Sequence, residues 1–184
     1  MPGAKNHTIG LVGFGGIGTE VAKRAVPFGM KVIYFCRHPN PADDAAYGVQ
    51  SVSMEELLKE SDYVVAAVPL TDQTFHLFNE ERIAQMKAGS VLINIARGPV
   101  VDEEALAQAL ASGHLGGCAV DVFPKEPCTN SVLTRYANAL LTPHSATSTA
   151  ENSKATNFAA ANNLVNYLKK DIDAKYVVVQ GTRY

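Results

Sequence analysis

Short apolar runs alternate with amphipathic segments along the whole chain. The runs are rich in Val, Ile, Leu and Ala and show little alternation of polar and apolar residues, which is typical of strands covered on both faces of a sheet. This pattern predicts strands over residues 8–12, 31–35, 63–67, 91–95, 118–122 and 139–141. The helical segments between them predict an α/β fold in three layers, with a doubly wound parallel sheet between two layers of helices.

Short polar side chains mark the expected helix starts. The spacing of capping boxes, or a good N-cap residue alone, is found at four places: Ser53 with Glu56, Ser148 with Glu151, Asn79, and Asp102. The last helix is predicted over about residues 149–170, and we expect its apolar face to pack on the sheet or on a second subunit. That face comprises Ala155, Phe158, Ala159, Asn162, Leu164, Val165 and Leu168.

Composition and charge exclude several functions. The chain has 184 residues, 47% of them hydrophobic, which is enough for one main domain with a buried core. Its net charge of -2 comes from interspersed charges without a basic block, which argues against nucleic acid and anionic membranes as partners. No signal peptide and no apolar run long enough for a bilayer are present, so we expect a cytoplasmic protein. Cys36, Cys118 and Cys128 lack C-x-x-C pairing, which predicts free thiols and no metal site.

Residues 13–18 read Gly-Phe-Gly-Gly-Ile-Gly, a G-x-G-x-x-G motif between the first predicted strand and a helix. Gly13 permits a tight turn, Gly15 lets the backbone approach a pyrophosphate, and Gly18 allows the helix to pack closely on the strand. The free N–H groups at the helix start then meet the anion. Flanked in this way, the motif predicts a dinucleotide site; the alternative is a glycine-rich turn that binds nothing.

The end of the second predicted strand carries Cys36, Arg37 and His38, where dinucleotide-binding chains commonly have an acidic residue. An acid there accepts hydrogen bonds from the ribose hydroxyls of NAD and repels the 2'-phosphate of NADP. Arg37 can instead pair with a phosphate, and His38 can add a second contact. The sequence therefore predicts a preference for NADP(H), with NAD(H) also possible; the alternative is that both side chains are merely solvated.

Three later segments place ionisable groups at predicted strand ends. They contain Arg97, then Asp121 and Glu126, then His144. The carboxyl ends of parallel strands line one crevice, so we expect these groups to converge. Beside a nicotinamide, Arg97 can grip a carboxylate and polarise the adjacent carbonyl, His144 can supply a proton, and Glu126 can orient the imidazolium. Each of them alone is equally compatible with a solvated loop residue.

Five stretches in the order GFGGIG, PLTDQTFHLFN, INIARGPVVDEEAL, CAVDVFPKEP and LTPH resemble the nucleotide-binding domain of the D-isomer-specific 2-hydroxyacid dehydrogenases, of the glyoxylate/hydroxypyruvate reductase type. The resemblance covers about residues 8–170. It implies a Rossmann-like fold, an NAD(P)-dependent oxidoreductase acting on a small 2-oxo or 2-hydroxy acid, and a homodimer formed through this domain.

The same resemblance assigns roles to individual residues. Arg97 matches the substrate arginine, Glu126 the histidine partner, His144 the acid/base histidine, and Asp121 the residue near the nicotinamide carboxamide. The expected cofactor-binding residues are Gly13, Gly15, Gly16, Ile17, Gly18, Arg37, His38, Val68, Pro69, Ala96 and Asp121.

Two departures from the family leave the function open. Ser-Ala-Thr follows His144 where the family usually has an apolar residue and glycine, and only a few residues precede the first strand where members carry a substrate-binding lobe. We therefore expect a dinucleotide-binding domain over residues 1–170 and a tail over 171–184, a remnant of or return to that lobe, with an added strand near 176–179. A dehydrogenase, a cofactor-binding module without turnover, and an enzyme completed by a partner chain all fit the sequence.

Overall fold

A computed structural model of the protein describes residues 4–173. Its centre is a seven-stranded sheet in the order β3-β2-β1-β4-β5-β6-β7, in which every pair of neighbours is parallel. The strands are β1 (Thr8–Val12), β2 (Lys31–Phe35), β3 (Gln50–Ser51), β4 (Tyr63–Ala66), β5 (Val91–Asn94), β6 (Gly117–Val120) and β7 (Ala139–Leu141). The strand order reverses between β1 and β4, the place where doubly wound sheets open a crevice at their carboxyl edge.

Helices connect the strands, and the sheet has a core on each face. The helices are α1 (Gly16–Ala25), α2 (Pro41–Tyr47), α3 (Met54–Glu60), α4 (Glu80–Ala84), α5 (Glu103–Ala111) and α6 (Ala150–Leu168), with short 3₁₀ turns at Val26–Phe28, Gly98–Val100 and Val132–Arg135. Alternate residues of a strand point to opposite faces. Accordingly Leu11 packs in the cluster that contains α1 residues, and Val12 in the cluster that contains α3 and α5 residues. The Rossmann-like α/β/α fold predicted from the sequence is confirmed.

The predicted strands agree with the structure to within two residues. Residues 8–12, 31–35 and 139–141 match β1, β2 and β7, whereas β4 and β5 each end one residue early. The prediction for β6 was displaced, because its pairing with β7 ends at Val120 opposite Leu141 and leaves Asp121 and Val122 beyond the ladder. The two-residue strand β3 was missed, since so short a segment has no measurable periodicity.

Three of the four expected helix starts are confirmed. The side chain of Ser53 accepts a hydrogen bond from the N–H of Glu56, and Asn79 and Asp102 cap α4 and α5 in the same manner. The prediction of Ser148 as a cap was wrong. The cap of α6 is Thr149, whose extended backbone lets its hydroxyl accept from Asn152 N–H at 3.1 Å.

The chain divides into two compact units, Met1–His144 with the sheet and Ser145–Tyr184 with α6. Helix α6 ends at Leu168, and none of its residues is buried; Phe158 and Leu168 are 70% and 72% exposed. The expected packing of its apolar face, on the sheet or on a second subunit, stays a prediction. The expected strand at residues 176–179 lies outside the described residues, and the division into residues 1–170 and 171–184 also stays a prediction.

Candidate functional site

The glycine-rich turn between β1 and α1 combines two tight positions with two open ones. Gly13 has φ 103°, and a Cβ there would strike the carbonyl of Ala67. A Cβ at Gly18 would lie 2.5 Å from the carbonyl oxygen of Gly13 and would push α1 off β1. A Cβ at Gly15 or Gly16 would meet nothing within 4 Å. The absence of a side chain at Gly13 and Gly18 thus allows the turn to pack closely on the sheet. Gly15 and Gly16 leave the backbone of the turn accessible.

The start of α1 is suited to an anion. Its N-cap, Gly15, makes no side-chain capping bond, and the first turn of the helix carries no acidic residue. The free N–H groups and the positive end of the helix dipole are therefore not neutralised by the helix itself. A pyrophosphate is the ligand that this arrangement accommodates in nucleotide-binding folds.

An open cleft of about 500 Å³ runs from this turn past the end of β2. Its lining includes Gly13, Phe14, Gly15, Phe35, Cys36, Arg37, His38, Met54, Val68, Pro69, Thr74, Leu77 and Arg82. Among the described residues that line it there is no carboxylate, so Arg37 and Arg82 give this cleft a positive character. Arg82, whose Nη1 donates to the carbonyl of Leu77 at 2.9 Å, was not anticipated from the sequence.

A second open cavity of about 440 Å³ adjoins the first. It is lined by Ile17, Ala67, Val68, Pro69, Leu70, Ile95, Ala96 and Arg97. Val68 and Pro69 line both cavities, so together the two form one groove from the end of β2 to Arg97. All the residues expected to bind the cofactor, except Asp121, lie along this groove or in the turn at its floor.

The turn that carries Arg97 is held by the buried side chain of Asn94 at the end of β5. The Asn94 amide nitrogen donates to the carbonyl of Arg97 at 3.1 Å, and its amide oxygen accepts from the N–H of Ala96 at 3.1 Å. Asn94 is 2% exposed, so these two hydrogen bonds to the backbone are sheltered from water. The guanidinium of Arg97 itself is exposed and donates to the Ala96 carbonyl at 2.7 Å.

Glu126 and His144 form a hydrogen-bonded pair. Nδ1 of His144 donates to Oε2 of Glu126 at 2.7 Å, while Oε1 of Glu126 accepts from the N–H of Phe123 at 2.9 Å. The bond from His144, and then that from Phe123, hold the pKa of the Glu126 carboxyl below its usual range. The pair is therefore an ionised carboxylate that fixes one nitrogen of an imidazole, and the side chains remain 36% and 44% exposed.

Asp121 follows β6 and is buried, with 7% of its surface exposed. Its Oδ1 accepts from the hydroxyl of Thr142 at 2.6 Å, and its backbone N–H donates to the carbonyl of Asn94 at 3.1 Å. Arg97, Asp121 with Glu126, and His144 thus follow β5, β6 and β7, which are neighbours in the sheet. The sequence located these groups, but it gave no role to Asn94 or Thr142.

Cys36, Cys118 and Cys128 are free thiols, as expected, and burial raises the pKa of the Cys118 thiol to about 11. In residues 4–173, no set of three His, Cys, Asp or Glu side chains is arranged to hold a metal ion. Over the same residues, the structure contains no helix with both the length and the apolarity to cross a membrane.

Known proteins similar to this chain are nucleotide-dependent dehydrogenases and reductases. The family model described as "D-isomer specific 2-hydroxyacid dehydrogenase, NAD binding domain" matches residues 2–146. Similar curated proteins include the glyoxylate reductase of Thermococcus litoralis, 42% identical over 175 residues, with 95% of this chain and 53% of the relative covered. The glyoxylate reductase of Pyrococcus furiosus is 43% identical over 165 residues, with 90% and 49% covered. The chain spans about half the length of these relatives.

Solved structures agree in fold. A glyoxylate reductase from Paecilomyes thermophila is 38% identical with a TM-score of 0.86, and the match covers 92% of this chain and 51% of that one. A D-lactate dehydrogenase from Aquifex aeolicus, solved in complex with NAD and lactic acid, is 34% identical with a TM-score of 0.82 and coverage of 90% and 54%.

Proposed function

The chain belongs to the D-isomer specific 2-hydroxyacid dehydrogenase family, whose NAD-binding domain it matches, and on this basis we propose that it interconverts a small 2-oxo acid and its 2-hydroxy acid with a nicotinamide cofactor. The observation that carries the proposal is the 2.7 Å bond between Glu126 and His144 at the carboxyl edge of the sheet. A histidine held in this manner is the arrangement expected of a general acid and base.

The groove fits the cofactor on its own geometry. Gly15 and Gly16 leave the turn open to a pyrophosphate, and the uncapped start of α1 supplies N–H donors to it. Ile17, Val68, Pro69 and Ala96 then form the largely apolar walls of the cavity that leads to Arg97. A bound nicotinamide would supply or accept the hydride.

The chain's own residues perform the remaining steps in the proposed reaction. Arg97 binds the carboxylate of the acid with its planar guanidinium and polarises the neighbouring carbonyl. Because Nδ1 of His144 already donates to Glu126, its other nitrogen, Nε2, is the one that gives a proton to the carbonyl oxygen. Glu126 stabilises the positive charge of the imidazolium before that transfer, and Asp121 would accept a hydrogen bond from the carboxamide of a bound nicotinamide.

NADP(H) is the preferred cofactor in this proposal, with NAD(H) also accepted. The support is the lining of the cleft at the end of β2, where Arg37 and His38 stand and no described lining residue is acidic. A 2'-phosphate there finds donors without the repulsion that an acid would exert.

We further propose a cytoplasmic homodimer that pairs through this domain. The free thiols at Cys36, Cys118 and Cys128 suit a reducing compartment. Phe158, Leu164 and Leu168 of α6 expose apolar surface that a second copy would cover.

A cofactor-binding module without turnover is the second candidate. The observation in its favour is the exposure of the Glu126–His144 pair and of Arg97 in this chain, because reactions of this kind proceed best where water is excluded. A partner chain that covers these groups would restore the first candidate.

Binding and turnover distinguish these functions. NADPH is added to the purified chain with glyoxylate, hydroxypyruvate and pyruvate in turn, and cofactor binding is followed by fluorescence and oxidation by absorbance. Binding with turnover, lost in His144→Ala, is the expected result. Binding without turnover on every acid would identify the second candidate, and absence of binding, for NADPH and for NADH alike, would contradict both.

A further inference from the structure

Thr142 is hydrogen-bonded to two residues of the candidate site, Asp121 and His144, and the sequence alone did not predict these bonds. Its hydroxyl donates to Oδ1 of Asp121 at 2.6 Å, within the range of a charge-assisted O–H···O⁻ bond. Asp121 is 7% exposed, and a buried carboxylate is costly unless such bonds compensate for the loss of water. The Thr142 hydroxyl therefore fixes the orientation of the Asp121 carboxyl group.

The backbone of Thr142 makes a hydrogen bond to His144, the second group of the site. Its carbonyl accepts from the N–H of His144 at 3.0 Å, and its own N–H donates to the carbonyl of Val120 at 3.0 Å. His144 has φ 52°, a left-handed conformation that is uncommon for a residue with a side chain. The bond to Thr142 closes the short turn in which His144 adopts this conformation.

Resting on the function proposed above, we propose that Thr142 is a positioning residue that links the two groups facing the nicotinamide. Through its hydroxyl it orients Asp121 toward the carboxamide, and through its carbonyl it orients His144 toward the reacting carbonyl. The register of the sheet makes this possible, because Val120 of β6 lies opposite Leu141 of β7 and so places the next residues of both strands side by side.

The residue type fits this task. Threonine is branched at Cβ, which restricts its first side-chain torsion and aims the hydroxyl at one acceptor. Valine has nearly the same shape without the donor, and serine keeps the donor without the methyl group. Thr142→Val and Thr142→Ser therefore separate the hydrogen bond from the packing of this side chain.

The test compares two ligands that differ only in the nicotinamide. Dissociation constants are measured for NADPH and for 2'-phospho-ADP-ribose, which lacks the ring. Thr142→Val should weaken NADPH about tenfold and leave 2'-phospho-ADP-ribose unchanged, and Thr142→Ser should stay within about twofold of the unmodified protein. Thr134→Val is the matched control, because it removes a threonine hydroxyl whose hydrogen bond, at 2.8 Å, goes to the carbonyl of Ser131, and it should change neither constant.

The outcomes separate this inference from the function on which it rests. If the unmodified protein binds both ligands and Thr142→Val weakens both equally, or neither, then Thr142 is structural and only this inference fails. If the unmodified protein binds neither ligand, the comparison is repeated with NADH and ADP-ribose; if it binds neither of these, the proposed function fails and the inference with it. Should Thr142→Val not fold, Thr142→Ala, which removes bulk from a half-buried position, must show the same selective loss of NADPH.

Discussion

The backbone of Gly98 lies against the backbone of Phe123, so closely that a Cβ on Gly98 would overlap the Phe123 carbonyl group. Gly98 follows Arg97, and the N–H of Phe123 donates to Glu126. The contact therefore joins the turn that carries the proposed substrate arginine to the loop that carries the histidine partner. Their mutual position is set by two peptide backbones, which cannot move aside as a flexible side chain would.

Gly98→Ala is expected to lower the free energy of unfolding by about 1–3 kcal/mol, the usual result of forcing a methyl group into a packed site, and to reduce turnover as well. Chemical denaturation measures the first effect. Gly16→Ala is the control for stability, since a Cβ there meets nothing within 4 Å. Equal stability of both variants would show that the two loops separate without cost.

His144→Ala should lower the rate of 2-oxo acid reduction by about 10²- to 10⁴-fold, because the proton donor is lost, while the dissociation constant of NADPH stays nearly unchanged. Steady-state kinetics and fluorescence titration measure the two quantities. His7→Ala, at a half-buried position before β1 and outside the proposed site, is the control and should have full activity. Unaltered turnover in the first variant would remove His144 from the mechanism.

Arg97→Lys keeps the positive charge but should still reduce kcat/KM by about tenfold or more, because an ammonium group cannot make the planar two-pronged contact with a carboxylate. Arg24→Lys is the matched control, since Arg24 lies on α1 and pairs only with Glu20 in the described structure. A fully active Arg97→Lys enzyme would assign Arg97 a structural role.

The Glu126–His144 pair should make stability depend on pH. The pKa of Glu126 is lowered in the folded protein. Its contribution to the free energy of unfolding is therefore complete above the pKa of the unfolded state, 4.5, and is lost as the pH falls through the pKa of the folded state. Glu126→Gln should therefore lose less stability than the unmodified protein between pH 5 and the acid limit of folding, as measured by urea denaturation at each pH. Parallel curves for the two proteins would contradict the lowered pKa.

The sequence was sufficient where the signal is local. Apolar runs located six of the strands, and the residues that follow them, such as Arg97 and Asp121, reach one edge because parallel strands all end there. Caps such as Asn79 were also readable, since the acceptor and its N–H partner lie three residues apart.

The sequence failed where the partner is distant or where two residues compete for one role. The bond from Thr142 to Asp121 depends on the register of β6 and β7, which no local pattern encodes. Ser148 and Thr149 are both good caps, and only the backbone of Thr149 decides between them. An apolar helical face does not by itself identify what covers it, so the packing of Phe158 and its neighbours on α6 stays a prediction.

The relative affinities for NADPH and NADH test the proposal that Arg37 and His38, which follow β2, favour NADP(H). NADPH should bind about ten to a hundred times more tightly than NADH, as one charge-assisted contact to the 2'-phosphate contributes about 1.5–3 kcal/mol. The double variant Cys36→Asp with Arg37→Ala should reverse this order, because it introduces an acceptor for the ribose hydroxyls and removes the phosphate donor. Equal affinities in the unmodified protein at the same ionic strength would refute the preference.

Isotope transfer tests the central claim most directly. The purified chain is incubated with a 2-oxo acid and NADPH that carries deuterium at the transferable position of C4, and the hydroxy acid is analysed by mass spectrometry and chiral separation. The account predicts one deuterium at C2 of the D-hydroxy acid, formed by the unmodified protein and formed at least about 10²-fold more slowly by His144→Ala. A protein saturated with NADPH that yields no deuterated product from any 2-oxo acid tested would contradict it.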